Sequence, residues 1–346
     1  MTNNINIKLP SGDIKSYPNK ITPYDIATEI SISLKKNAII SKVNNELWDL
    51  DRSIDFDCDL EIITKGNKDL LEVLRHDAAH VMAEAVLELY PDTQITIGPA
   101  VDNGFYYDFY KKENFTTKDL ELIEKRMHEI VDRNEEIIRE VWTREKAINF
   151  FKKNNEKFKL ELIYDIPDDQ EISFYKQGNF IDLCRGPHFK STKMLGHAFK
   201  LTKLAGAYWR GDSNKETLQR IYGTAFFTQN DLNKYLLMLE EAEKRDHRKL
   251  GKKLQLFHMQ EEAAGSVFWH PKGWSIYLEI EAYMRRKLAT HNYNEVKTPQ
   301  VIDRTLWEKS GHWDKFKENM FMVEGEGNKV LALSLIHISE PTRRIT

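Results

Sequence analysis

The sequence predicts an α+β protein that is built from several domains. The chain has 346 residues, which is more than one domain of ordinary size. Near the N-terminus, short segments alternate apolar with polar residues, as half-buried strands do, whereas residues 68–90 repeat apolar side chains at spacings of three and four, as a helix does. Aromatic residues make up 11% of the chain, with only 16 Gly and 10 Pro, so packed domains are expected and a disordered or collagen-like chain is excluded.

The first 64 residues predict a small β-rich unit. Ile5, Ile7 and Leu9 alternate with polar residues, and residues 10–13 (Pro-Ser-Gly-Asp) form a hairpin turn signal. This order of strands and one helix predicts a β-grasp module. The other elements expected in it are a helix over residues 21–34 and strands over 38–40 and 60–63.

The remainder of the chain alternates helical and strand-rich segments. A helix is predicted over residues 68–90, and a second amphipathic helix begins after Thr116-Thr117. The other expected elements are a turn and an aromatic strand over 98–107, a strand-and-turn-rich segment over 160–227, a charged connecting helix over 231–253, a helix over 272–288 and a strand over 293–299.

Charge and hydropathy exclude several classes of protein. The net charge of −3 excludes a chain-wide polycation for nucleic acid, although a local basic face is still allowed. No segment approaches the roughly 18 apolar residues of a membrane span, and the N-terminus lacks the features of a signal peptide. Two widely separated cysteines form no disulfide framework and fit a reducing compartment. We therefore expect a cytoplasmic protein with no membrane partner.

Four side chains of related chemistry form the candidate site. His76 and His80 are one helical turn apart and share a face of the predicted helix. Cys184 and His188 lie on a tight loop, because Gly186-Pro187 forbids a helix there. Such a set can bind zinc, or it can orient water and share protons without a metal. The alternatives are ordinary core histidines and a buried cysteine that acts as a small hydrophobic residue.

The segment from His76 to His80 also has the outline of a zincin motif. That motif requires a glutamate as general base, and Asp77 stands in its place. The shorter side chain would misplace the base, so a metalloprotease is disfavoured.

Several long motifs extend along the chain, and together they resemble the bacterial threonyl-tRNA synthetases from residue 1 to about 332. The resemblance identifies the N-terminal unit as a TGS-like domain. It identifies the helix with His76 and His80, together with the segment Asp182-Leu183-Cys184-Arg185-Gly186-Pro187-His188, as an editing domain. The other motifs that carry it are residues 201–212, 218–226, 245–251 and 268–274.

The resemblance implies a ligase that joins threonine to its tRNA through an adenylate, using ATP. Serine lacks one methyl group, which is worth only about 1–3 kcal/mol to a pocket, so the family carries a second site that hydrolyses seryl-tRNA. The resemblance places His76, His80, Cys184 and His188 in that site, where the histidines would position water and hydrogen-bond the terminal adenosine. Asp182, Tyr107 and Lys159 are carried over with less support. Lys159 would stabilise the oxyanion or relay a proton, unless it is an ordinary surface lysine.

The resemblance also implies a domain plan and partners. The partners would be a threonine-specific tRNA and a second copy of the chain, joined through motif 1 of the class II core (the helix and strand from Gly273 to Pro299). The cofactors of the family are ATP, Mg²⁺ and Zn²⁺. The plan is a TGS-like β-grasp domain over 1–64, an editing domain over 65–227, a helical linker over 228–254 and the start of a class II antiparallel-sheet core over 255–332.

The end of the sequence departs from the family. The stretch that supplies the recognition-zinc cysteine of the family, and its ATP-binding motifs 2 and 3, do not occur. Residues 333–346 instead resemble the conceptual translation of a sequencing adapter, so we expect an artefactual, poorly packed tail. Two functions follow: a fragment that hydrolyses seryl-tRNA but forms no threonyl adenylate, or a fragment that contacts tRNA without catalysis.

Overall fold

The computed structural model describes residues 4–64, 66–297, 299–325 and 329–334. The chain divides into two compact units, residues 1–243 and 244–346. This division falls inside the predicted linker over 228–254, and the other domain limits stay predictions. In the described residues, no helix is both long enough and apolar enough to cross a bilayer.

The N-terminal unit contains a five-stranded sheet. The strands over residues 4–8 and 58–64 are parallel to each other, and the other neighbouring strands are antiparallel. This mixed sheet is the arrangement expected of a β-grasp module. The strands are β1 (Asn4–Lys8), β2 (Ile14–Pro18), β3 (Ala38–Val43), β4 (Glu46–Trp48) and β5 (Cys58–Thr64), in the order β2-β1-β5-β3-β4.

The single helix predicted over residues 21–34 is in fact two helices, α1 (Pro23–Ile30) and α2 (Ile32–Asn37). Thr22 begins α1 with a capping box that involves Asp25, and Ile26 is buried beneath it. The backbone is extended at Ser31, whose hydroxyl accepts from the N–H of Leu34 at 3.0 Å. Ser31 therefore ends one helix and caps the next, which apolar spacing alone does not reveal.

The middle of the chain supplies two further sheets. The first has the order β12-β13-β8-β6, with β7 paired to β8, and the second has the order β11-β10-β9. The strands are β6 (Gln94–Ile95), β7 (Ala100–Val101), β8 (Gly104–Tyr110), β9 (Ile137–Trp142), β10 (Ile172–Gln177), β11 (Phe180–Leu183), β12 (Phe199–Tyr208) and β13 (Thr217–Ala225).

The predicted helix over residues 68–90 is confirmed as α3 (Leu70–Leu89), and it is the centre of the largest core. It packs against β8 and β13 on one side and against α4 (Thr117–Arg133), the second predicted helix, on another. Ile39, Ile40 and Ile63 of the N-terminal sheet belong to the same core. The N-terminal sheet and α3 are therefore joined by continuous apolar packing.

The region between β9 and β10 is helical. It contains α5 (Arg144–Lys153) and α6 (Lys157–Asp165), so the strand-and-turn-rich segment predicted from residue 160 begins with a helix instead. Phe158 and Leu162 are one turn apart on α6 and pack with Trp209. This contact with an aromatic side chain that is distant in the sequence stabilises the helix. The residues around α6 alone do not reveal the contact.

The charged helix predicted over residues 231–253 is also divided, into α7 (Gln229–Lys244) and α8 (His247–Lys253). Asp246 caps α8 by accepting from the N–H of Arg248. The other elements of the second unit are β14 (Phe257–His258), β15 (Phe268–Trp269), α9 (Pro271–Thr290), β16 (Ile302–Asp303), α10 (Arg304–Lys309), α11 (His312–Phe316), β17 (Met320–Glu324) and β18 (Val330–Ser334).

The second unit has a small antiparallel sheet in the order β16-β18-β17, with Trp307, Trp313, Met320 and Ala332 as its core. The helix predicted over 272–288 is confirmed as α9. The prediction of a strand over 293–299 is wrong for residues 293–297, which form no strand. Val296 is 81% exposed, and no described strand lies beside it to share hydrogen bonds. Leu333 and Ser334 of the predicted tail continue β18, and the remainder of the tail lies outside the described residues.

Candidate active site

Two elements of the first unit supply the four candidate side chains. His76 and His80 project from successive turns of α3, and Cys184 and His188 come from the loop that follows β11. One nitrogen from each imidazole and the Cys184 sulfur all lie within 4.8 Å of one another. The fold therefore brings together two pairs that are about 100 residues apart in the sequence.

The Cys184 sulfur is the centre of this cluster. It lies 3.0 Å from Nε2 of His76 and 3.3 Å from Nε2 of His188, and the N–H of Gly186 donates to it at 3.2 Å. The ring centroids of His80 and His188 are 4.3 Å apart. The four side chains form one contiguous group.

The loop keeps its shape through Gly186 and Tyr175. Gly186 has φ of +73°, and a Cβ at this position would overlap the Tyr175 hydroxyl. The Tyr175 ring packs on the His188 ring with centroids 4.3 Å apart. At the start of the loop, the N–H of Cys184 donates to the carbonyl of Ser173 at 3.1 Å, so the sheet holds this end.

Asp77 holds the other side of the loop. Its Oδ1 lies 2.7 Å from Nδ1 of His188, and its Oδ2 accepts from the N–H of Phe189 at 3.1 Å. Its carboxyl is buried, and burial raises its pKa to about 7. Asp77 therefore faces the loop as an orienting group, which the zincin comparison did not suggest. The sequence held one signal for this role: Asp77 directly follows His76 on a helix that is buried on both sides.

Lys159, Asp182 and Tyr107 form a second buried group beside the histidines. The ammonium of Lys159 contacts Oδ1 of Asp182 and donates to the Tyr107 hydroxyl at 3.2 Å. That hydroxyl donates to Oδ2 of Asp182 at 2.6 Å, and Nε2 of His80 lies 3.8 Å from the same oxygen. Lys159 is only 2% exposed, so it is not an ordinary surface lysine.

Burial decides the protonation states of the cluster. It lowers the pKa of His76 to about 3 and that of His188 to about 4, and it places the pKa of His80 well below its ordinary value. These imidazoles are therefore neutral near pH 7. Burial also raises the pKa of the Cys184 thiol to about 12. A cysteine nucleophile needs a depressed pKa, so this environment disfavours a thiolate mechanism.

The donor set also fits zinc. Bonds of about 2.0–2.3 Å place the ligand atoms of a tetrahedral zinc about 3.3–3.8 Å apart, close to the spacing of this cluster. A carboxylate on the second nitrogen of a ligating histidine is a common feature of such sites, and Asp77 provides one for His188. The arrangement is thus compatible with both metal binding and metal-free proton sharing.

Two protein families match separate parts of the chain. Residues 5–64 match the TGS domain, in agreement with the predicted N-terminal unit. Residues 172–222 match the threonyl and alanyl tRNA synthetase second additional domain, a span that includes Cys184 and His188 but not α3.

Known relatives extend the similarity over nearly the whole chain. The threonine–tRNA ligase of Rickettsia akari is 58% identical over 329 residues, which cover 95% of this chain and 52% of that protein. The chain is homologous to the N-terminal half of threonine–tRNA ligases. The ligase of Paramagnetospirillum magneticum is also 58% identical, over 94% of this chain and 51% of its own length. The chain thus spans about half the length of these curated ligases.

A solved structure is similar to a shorter part of this ligase homologue. The RNA-binding domain of threonyl-tRNA synthetase from Cryptosporidium parvum is 39% identical and covers 26% of this chain and 22% of that one, with a TM-score of 0.25. A TM-score this low supports no statement about the fold.

Proposed function

We propose that the site formed by α3 and the Cys184–His188 loop hydrolyses the ester of seryl-tRNA. The observation that carries this proposal is the cluster of three neutral imidazoles and a thiol, within 4.8 Å, beside the buried ammonium of Lys159. In this reaction water attacks the ester carbonyl carbon, an oxyanion forms, and the bond to the terminal ribose oxygen breaks. The proton that the attacking water gives up passes to that ribose oxygen, and serine and tRNA leave.

His76 is the residue that we assign to the attacking water. It is partly exposed, whereas His80 and His188 are buried, so water and substrate reach His76 first. With a pKa of about 3 its neutral imidazole is a weak base, so it holds and orients the water by a hydrogen bond rather than taking its proton. His188 keeps its orientation through Asp77, and the Cys184 thiol links the two rings.

Lys159 is the residue that we assign to the developing negative charge. An ammonium has three N–H donors. Here one donates to the Tyr107 hydroxyl, and the positive charge pairs with the Asp182 carboxylate. A remaining N–H can donate to an oxyanion in a site with little water, where a fixed charge acts strongly. Asp182 balances the charge of Lys159 in the free protein.

If the cluster holds zinc, His76, His80, Cys184 and His188 are its ligands. Four protein ligands fill a tetrahedral zinc, so the metal would mainly hold the two elements together. It could lower the pKa of a water or polarise the ester carbonyl only where one of the four ligands gave way to that molecule.

We also propose the wider roles that the homology suggests. The complete protein would be a cytoplasmic ligase that charges tRNA with threonine, using ATP and Mg²⁺ and a zinc ion in its catalytic core. Residues 255–332 would begin that class II core, and α9 would belong to a homodimer interface. Threonine-specific tRNA would be the partner of the chain described here.

The decisive experiment compares the deacylation of seryl-tRNA and threonyl-tRNA by the wild-type chain and by His76→Ala. We expect the wild type to favour seryl-tRNA, since the site must exclude one methyl group. His76→Ala should lower the rate. General acid–base catalysis contributes about 10²–10⁴-fold, and a role in positioning the water costs less than that. His197→Ala, an exposed histidine of the same unit, is the matched control and should leave the rate unchanged.

Circular dichroism should show that all three proteins are folded. Equal rates for wild type and His76→Ala would contradict the proposal. Binding of seryl-tRNA without turnover by the wild type would favour the non-catalytic tRNA-binding alternative. A chelator separates the two chemistries: activity that is lost and then restored by zinc indicates a metal site, and unchanged activity indicates proton sharing alone.

A further inference from the structure

We propose that Asp49, in the TGS domain, is a positioning residue for the loop that carries Cys184 and His188. This inference rests on the proposed function, because it assigns to the TGS domain a part in the deacylation. Asp49 follows β4 directly and is half-buried. It bonds the backbone of His188 and the Tyr175 hydroxyl, and it would act on the reaction through these two residues.

One carboxylate of the TGS domain joins two parts of the candidate site. Oδ1 of Asp49 accepts from the backbone N–H of His188 at 3.0 Å, and Oδ2 accepts from the Tyr175 hydroxyl at 2.6 Å. His188 belongs to the loop after β11, whereas Tyr175 belongs to β10. Asp49 therefore links the loop to the sheet from outside both.

These two bonds contribute to the position of the His188 ring. The Tyr175 hydroxyl sits against Gly186, and the Tyr175 ring packs on the His188 ring. Asp77 of α3 holds the ring nitrogen of His188, and Asp49 holds its backbone. Without Asp49, the loop loses its backbone anchor at His188, and the contact between His188 and Cys184 becomes free to change.

The TGS domain is docked firmly enough to place this carboxylate. Ile39, Ile40 and Ile63 share the core of α3. Lys190, two residues after His188, pairs with Asp51 at 3.2 Å, and its ammonium lies over the Tyr24 ring, 3.6 Å from the centroid. Arg52 lies 3.7 Å from Glu171, just before β10. Apolar packing and several polar contacts thus fix the segment around Asp49 against the loop.

The test compares Asp49→Ala, Asp49→Asn and Asp51→Ala in steady-state deacylation of seryl-tRNA. Asp49→Ala removes both bonds, so kcat should fall by about 10–100-fold while KM changes little, as expected for a misplaced catalytic group. Asp49→Asn should keep most of the rate, because its amide oxygen accepts from His188 and its amide nitrogen donates to the Tyr175 oxygen. Asp51→Ala removes one exposed ion pair that contributes little, and the apolar packing of Ile39, Ile40 and Ile63 keeps the domain docked, so kcat should be unchanged.

Amide hydrogen exchange of residues 184–189 in the same variants gives a second readout that does not depend on activity. We expect faster exchange in Asp49→Ala than in Asp51→Ala. An active wild type with equal kcat in Asp49→Ala and Asp51→Ala would overturn the inference and leave the proposed function standing. An equal loss in Asp49→Ala and Asp49→Asn would also overturn it, since charge rather than hydrogen bonding would then matter. If the wild type itself is inactive, the proposed function fails, and the exchange rates alone support or overturn the role of Asp49.

Discussion

Replacing Lys159 by methionine should destabilise the first unit strongly, because it would leave the Asp182 carboxylate buried without its cation. Both residues are only 2% exposed. Asp182 would keep the Tyr107 hydroxyl at 2.6 Å, but His80, at 3.8 Å, has its pKa well below the ordinary value and stays neutral. No positive charge would then replace the ammonium among the described contacts of this carboxylate.

The expected loss in the free energy of unfolding follows from this burial. Removing one member of a buried ion pair costs about 3–5 kcal/mol. Asp182→Asn should have a similar cost, since it leaves the Lys159 ammonium buried and unpaired. In the double variant both charges are gone, and the asparagine can still bond to Tyr107. We therefore expect the double variant to lose less than the sum of the single losses, by about 1–3 kcal/mol.

The assay is urea unfolding followed by tryptophan fluorescence, with the free energy of unfolding compared across the four proteins of the cycle. Trp209 packs against Phe158, the neighbour of Lys159, so the signal includes this region. Lys234→Ala is the surface control; its pair with Asp231 is exposed and should contribute less than about 1 kcal/mol. Single losses that add to the double loss within about 0.5 kcal/mol would refute the coupling.

Three further predictions concern the glycine of the loop, a buried glutamate and the cluster thiol. Gly186→Ala should lower the free energy of unfolding by about 1–3 kcal/mol in thermal unfolding, because it adds an overlap with Tyr175 to a left-handed φ. Gly196→Ala, at φ of +67° in open space, should cost less, and equal losses would argue against the overlap. Burial raises the pKa of Glu84 to about 8 from an ordinary 4.5, so the native state binds the extra proton between these values. Glu84 should therefore make wild-type stability fall as pH rises through that window, contributing at most about 1.4 kcal/mol per pH unit. Glu84→Gln should remove this contribution in pH-dependent melting and leave that of Asp77, whose pKa burial raises to about 7; an unchanged slope would exclude a contribution from Glu84. Because burial raises the pKa of Cys184 to about 12, iodoacetamide at pH 8 should modify it slowly in the folded chain and quickly in urea, as measured by mass spectrometry. Equal rates in the two conditions would show an accessible thiolate.

The sequence predicted the elements that depend on local spacing. Apolar residues at three and four positions apart marked α3 and α4, and both helices form where expected, as does α9. The same spacing could not show that Ser31 divides the N-terminal helix. It also could not show that residues 157–165 are helical, since that helix packs on Trp209, almost 50 residues later.

The strand expected over residues 293–299 shows that a strand-like composition can predict a strand that does not form. Val296 and its neighbours have a strand-like composition, yet residues 293–297 are exposed and form no strand. A strand is stabilised by an adjacent strand, and composition carries no information on whether one is present.

By itself, the sequence determined which residue types are available for chemistry and which of them share a helix face or a loop. Helical periodicity pairs His76 with His80, and the Gly-Pro turn keeps Cys184 near His188. Only the tertiary structure decided that Asp77 orients His188, that Lys159 is buried against Asp182, and that Asp49 reaches the loop from the TGS domain. These contacts join residues between 23 and 139 positions apart. The raised pKa of Asp77 and the lowered pKa of His188 follow from the burial that such packing creates.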